Sequence, residues 1–138
     1  MNNDERGERQ ARSVPGDPMH VRHADDVEDR TVAGARETTL QVLISAQEGP
    51  HFALRKFAMQ KGGGMPRHTN TVEHEQYVLR GEATITIADE THRVRAGDVV
   101  FIPARAAHSY ENTGDGAFEF LCVVPNQEDR VTIVGESC

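Results

Sequence analysis

Gly62-Gly63-Gly64-Met65-Pro66-Arg67-His68-Thr69-Asn70-Thr71-Val72-Glu73-His74-Glu75 is the stretch on which the reading of this chain turns. Two imidazoles and two carboxylates fall within eight residues, from His68 to Glu75, behind a run of glycines and ahead of an apolar segment. His68, Asn70 and His74 are separated by even numbers, so on a continuous strand they share one face. The glycines permit a sharp turn and Pro66 removes a ladder donor, which together predict polar donors at the mouth of a strand. A second segment, Gly97-Asp98-Val99-Val100-Phe101-Ile102-Pro103-Ala104-Arg105-Ala106-Ala107-His108-Ser109-Tyr110-Glu111-Asn112, puts a further imidazole on a separate strand, expected on the facing sheet. Three neutral imidazoles from two strands suit one divalent transition metal: Mn, Fe, Co, Ni, Cu or Zn. Their spacing does not select among these ions.

Around this core the punctuation is that of a β protein. Strands are predicted near 40–45, 52–60, 74–79, 83–88, 92–95, 99–102, 108–112 and 118–124. They are separated by turn formers such as Glu48-Gly49-Pro50, Gly62-Gly63-Gly64, Arg80-Gly81-Glu82 and Gly114-Asp115-Gly116. Thr84-Ile85-Thr86-Ile87 alternates polar and apolar, as a strand with one buried face does. No stretch from 40 to 125 repeats its apolar residues with a helical period, and many short strands at close spacing predict a sandwich or barrel.

The 138 residues are 37% hydrophobic and 27% charged, but the polarity is concentrated at one end. Residues 1–29 mix Arg, Asp, Glu, Gly and Pro with almost no aliphatic run, a composition that buries too little apolar surface to offset ordering entropy. The expected organisation is an N-terminal arm at 1–35, disordered or wrapped on a partner, a barrel at 36–126 and a tail at 127–138. A net charge of −7 with no cluster of Lys and Arg argues against nucleic acid. No apolar run approaches the ~20 residues that span a bilayer, and the N-terminus lacks an apolar signal region, so a cytoplasmic protein is expected. Two cysteines, Cys122 in an apolar segment and Cys138 at the end, fit a reducing compartment without a disulfide.

Both imidazole segments resemble the paired motifs of the cupin superfamily, small jelly-roll β-barrels. The first motif spaces glycine, His, His, an acid and glycine; Gly62, His68, Asn70, His74 and Gly81 fall at those positions. The second spaces glycine, Pro, Gly, His and Asn, matched by Gly97, Pro103, Arg105, His108 and Asn112. The resemblance covers roughly 40–125 and departs from the pattern in three places. Asn70 replaces an imidazole, His74 stands where many members carry Glu, and Arg105 replaces a glycine. Carried over by position, the resemblance implies the metal ligands His68, His74 and His108, with Asn70 a weak oxygen donor or an outer-sphere hydrogen-bonding group. Glu75 is the rival to His74, but strand parity turns it to the opposite face.

The resemblance also implies a pocket lined from the last strand, by Phe120 and Cys122; Met65, three residues before His68, is a candidate for the rim, and Gln76 and Tyr110 are candidates to hydrogen-bond a bound ligand. Cupins of this size resemble homodimers, and Leu40-Gln41-Val42-Leu43-Ile44 is the expected intersubunit segment. The function so implied is a mononuclear metal-binding protein, a dioxygenase-like oxidoreductase acting on a small organic molecule. The alternatives are a non-catalytic module that senses or sequesters a small ligand, and a sugar-modifying type of isomerase or lyase.

Overall fold

The computed structural model describes residues 19–134. The predicted ends at 1–18 and 135–138, including Cys138 and any pairing it makes, lie outside the described residues. Within them the fold is nearly all β: ten strands and one turn of 3-10 helix at Ala24–Asp26. The strands are β1 (Arg30–Thr31), β2 (Arg36–Ile44), β3 (Phe52–Thr69), β4 (His74–Arg80), β5 (Glu82–Ile87), β6 (Glu90–Arg95), β7 (Val99–Ile102), β8 (His108–Glu111), β9 (Phe118–Pro125) and β10 (Thr132–Ile133). No helix among the described residues is long and apolar enough to cross a membrane.

All eight predicted strands are present, but the glycine run is not a turn. It lies inside β3, an 18-residue strand that changes partners midway. Phe52–Met59 pairs with β9 on one edge, and β2 runs along the other. Beyond the glycines, Gly64, Met65 and His68 pair with β8 instead. One strand therefore belongs to both halves of a curled antiparallel sheet, ordered β6-β5-β8-β3-β9-β4-β7. Strands that cross from one sheet to another do so at bends and bulges. Here Gly62 adopts φ +82, which a residue with a Cβ rarely does. A Cβ at Gly63 would meet the Arg36 carbonyl oxygen at 2.7 Å, so neighbouring backbone closes in where the strand turns. The thirteen residue steps from Arg55 to His68 would span roughly 40 Å as straight strand; the curl brings both to one cavity.

The interior follows the strand period. In β4 and β9 alternate residues are buried, so His74, Gln76 and Val78 face inward with Phe118, Phe120, Cys122 and Val124. Phe57 stacks on Phe120 at 5.1 Å between ring centroids, and Tyr110 stacks on the same ring at 5.4 Å. Asn112 ties the chain crossing together: its amide donates to the carbonyls of Met59, Gln60 and Gly116, and its side-chain oxygen accepts from the Gly114 N–H.

The described parts of the arm and tail lie against the sheet. Arg30 and Thr31 pair with Leu40 and Thr39 of β2, and Arg22 donates to Glu48 and to the Leu43 carbonyl. Thr132 and Ile133 pair with Thr69 and His68 at the end of β3. The segment expected to reach a partner subunit, 40–44, is paired with β3 along its length, and Leu40 faces the cavity.

Candidate functional site

A cavity of about 180 Å³ opens in the concave side of the curled sheet. His68 comes from the end of β3, Asn70 from the turn that follows, His74 from the start of β4 and His108 from the start of β8. The even spacing of 68, 70 and 74 does not act through a single strand, because the turn at 70–73 separates β3 from β4. His108 is not on a facing sheet either: it is the direct cross-strand neighbour of His68. All four side chains nevertheless line the same cavity. Ring centroids are 4.2 Å apart for His68 and His108 and 6.1 Å for His74 and His108.

The backbone selects the tautomers. Nδ1 of His68 lies 2.7 Å from the Pro66 carbonyl oxygen, and Nδ1 of His108 lies 2.9 Å from that of Ala106. A carbonyl only accepts, so each Nδ1 carries the proton and each neutral ring keeps its lone pair on Nε2. The Nε2 atoms of His74 and His108 are buried without a hydrogen-bond partner. Burial holds His74 at a pKa of about 4, with the charge of Arg55 adding to the effect. Burial likewise lowers His108 to about 4, against a smaller opposing effect of the Ala106 carbonyl. Both rings are thus neutral around pH 7, the form in which imidazole binds metal.

Asn70 is oriented from a distance. Its Nδ2 donates to Asp129 at 3.0 Å, and the other carboxylate oxygen of Asp129 accepts from the Thr71 N–H at 3.0 Å. With the amide nitrogen so fixed, Oδ1 is left buried and unpartnered. The donor chemistry of this group fits a divalent transition metal: neutral lone-pair nitrogens, one neutral oxygen, and backbone carbonyls behind two of the imidazoles. The fit is one of kind, since among the described residues no three His, Cys, Asp or Glu side chains are gathered closely enough to hold an ion as they stand.

The remaining expected residues divide between wall and core. Met65, Gln76, Tyr110 and Phe120 line the cavity. Gln76 donates to the Tyr110 hydroxyl at 2.7 Å, and burial raises the tyrosine's pKa, so its proton stays on. Cys122 is fully buried behind Gln76, whose amide lies 3.7 Å from its sulfur, and does not reach the cavity. Glu75 is exposed on the outer face of β4, where a hydrogen bond to Glu73 raises its pKa to about 7. Two residues of the wall escaped sequence reasoning. Arg55 was legible as a charged residue at an inward position between Ala53 and Phe57. Asp129 left no signal, being 59 residues from its partner in an unpatterned tail.

With the geometry in view, comparison with known proteins is direct. The sequence profile described as "Cupin domain" matches residues 55–124. An oxalate-binding protein of Thermotoga maritima is 30% identical over 115 residues, covering 79% of this chain and 95% of the relative. Among solved structures, the polyketide cyclase RemF of Streptomyces resistomycificus superposes with a TM-score of 0.79 at 33% identity, covering 86% of this chain and 87% of its own. A cupin-2 domain protein of Rhodospirillum rubrum gives 0.75 at 26% identity, covering 89% and 86%. The matched profile spans half of the chain and the curled sheet is the one these relatives share: the chain belongs to the cupin family.

Proposed function

We propose that this cupin is a mononuclear metal protein acting on a small organic molecule, with His68, His74 and His108 as the ligands and Asn70 as a weaker oxygen donor. The observation that carries the reading is the pair of buried, unpartnered Nε2 atoms on His74 and His108, in a cavity where the backbone has already fixed the His108 tautomer. Leaving two such nitrogens without partners costs about 1–3 kcal/mol each unless a ligand or ion satisfies them. A bound divalent ion supplies Lewis-acid polarisation and, where it is redox-active, dioxygenase-like chemistry. The chain's own residues do the rest. Pro66 and Ala106 hold two rings in the ligating tautomer, Asp129 aims the Asn70 oxygen, and Phe120 and Met65 keep water from one wall.

Elemental analysis of protein isolated without added metal tests this. About one transition-metal ion per chain is expected, lost in His74→Ala and in His108→Ala. Unchanged metal content in both variants would refute the assignment.

A non-catalytic, ligand-holding role is the second reading, and one feature favours it: besides the histidines, the cavity-wall groups that could serve as acid or base are committed elsewhere. Asp129 is bonded to Asn70 and Thr71, and the Tyr110 proton is held on by burial. The relative named for oxalate binding and the cyclase among the similar structures both support a small organic ligand. Oxygen uptake by iron-loaded protein across a substrate panel separates enzyme from binder. A cytoplasmic setting is part of the proposal, supported by the free buried thiol of Cys122. A homodimer is the proposed assembly, supported by the apolar outer face of β4 and β7.

A further inference from the structure

Arg55 projects from β3 into the barrel with the parity of Ala53, Phe57 and Met59, all of them buried. Its guanidinium carbon lies 5.5 Å from the centre of the Phe57 ring, and its Nε is buried with no hydrogen-bond partner. No carboxylate pairs with it among the described residues, although six other basic side chains there, Arg22, Arg36, Lys56, Arg80, Arg93 and Arg130, each have one. Asp129, the acid on the cavity wall, is taken up by the Asn70 amide and the Thr71 N–H. A cation withdrawn from water is costly unless an opposite charge meets it. Among the described residues no carboxylate meets the half-buried Arg55, which leaves a ligand to do so.

We propose that the cavity is a carboxylate site, in which Arg55 anchors the acid group of a small organic anion whose body lies on Leu40, Phe57 and Phe120. Charge favours this choice. Asp129 is held by the Asn70 amide and the Thr71 N–H, so Arg55 is the cavity charge left for a ligand to meet, and it attracts anions. Geometry favours a carboxylate in particular, because the planar guanidinium offers two parallel donors to two coplanar oxygens. Size sets the upper limit. About 180 Å³ is slightly more than the ~150 Å³ that accommodates benzene, so the part of the ligand held inside has about ten non-hydrogen atoms or fewer.

This inference rests on the cavity being the functional site, as proposed above, but not on the metal, and the test keeps the two apart. Calorimetric titration of the full chain is carried out with benzoate and oxalate and with their neutral amides, benzamide and oxamide. Each is measured on chelator-treated and on manganese-loaded protein, with metal content determined on the same preparations. At least one acid is expected to bind far more tightly than its amide in both preparations. Arg55→Met should weaken that acid by about thirtyfold or more while leaving amide binding unchanged, and Arg55→Lys should recover part of the loss. Equal binding of acid and amide by the wild-type chain overturns the inference. So does undiminished acid binding by Arg55→Met, or no binding of either acid. Should Arg55→Met fail to fold, the acid-to-amide ratio on the wild type decides alone. Arg55-dependent acid binding by protein that takes up no metal sustains this inference and defeats the metal assignment. Metal uptake without discrimination between acid and amide does the reverse.

Discussion

Arg105 occupies the position at which the family motif has glycine, and its backbone is in the left-handed region at φ 73. That conformation costs a residue with a Cβ about 1–2 kcal/mol. The turn retains it because the Arg105 N–H donates to the Asn70 carbonyl at 2.7 Å, tying the loop after β7 to the turn that carries a candidate ligand. The side chain is exposed, so replacing it removes little packing. Arg105→Gly relieves the strain and gives back part of the gain through a more flexible unfolded chain. The expected result is a stabilisation of about 0.5–1 kcal/mol, seen as a rise of a few degrees in the thermal midpoint. A fall in the midpoint would mean that the arginine side chain contributes a contact the turn needs.

At the scale of elements, strand existence was legible in the sequence and strand continuity was not. Alternation in Thr84-Ile85-Thr86-Ile87 announced inward and outward faces, because the pleat writes its period of two directly into the residues. Gly62-Gly63-Gly64 reads as a turn in one dimension, since the same freedom of φ serves a loop and a bent strand. What decides between them is the backbone of Arg36 and Tyr110 crowding the glycines, and both residues are distant in sequence. The candidate ligands His68, His74 and His108 were found by motif spacing, whereas the reasons given for their convergence needed revision. The faces met through two turns and a cross-strand pair rather than through parity on one strand. Asp129 and β10 come from a tail with neither alternation nor apolar run, so nothing local marks them as part of the wall.

The segment before β1 is also held by more than its composition suggests. Arg22 pairs with Glu48 at 2.7 Å across the connection between β2 and β3, and Ser45 donates its N–H to the same carboxylate. These bonds, the Arg22 one first, hold the Glu48 pKa down to about 2. Its folded form therefore binds fewer protons than the unfolded chain between pH 4.5 and 2. The stabilisation is fully present above pH 4.5 and is lost as the pH falls through 2. Glu48→Gln should lower stability at pH 7 and flatten its dependence over that interval, measured by denaturant unfolding at a series of pH values. Parallel curves for wild type and variant would show that the pair contributes nothing to holding the segment.

For the molecule as a whole, the surface is as informative as the cavity. Tyr77 and Leu79 on β4 and Val99 and Phe101 on the adjoining β7 are exposed together, Val99 at 75%. Tyr77 is the cross-strand neighbour of Val99, and Phe101 that of Glu75, so the apolar side chains form one patch at the end of the strand order. A second copy of the chain brings an identical patch and needs no further component to cover it, as a two-fold interface does. Sedimentation velocity should give a two-chain mass for the wild type and a one-chain mass for the Val99→Glu/Phe101→Glu double variant. A wild-type monomer at micromolar concentration would remove the dimer from this picture.

The two tyrosines of this tryptophan-free chain stand in opposite surroundings. Tyr77 is 48% exposed on the outer patch, while Tyr110 is buried beside His108 in the cavity wall. Intrinsic fluorescence therefore divides into a signal from the solvent-facing ring and one from the site itself. Quenching by dissolved iodide reaches the first and spares the second. A ligand that disturbs the Tyr110 ring is thus readable optically, without a label and without altering a single residue.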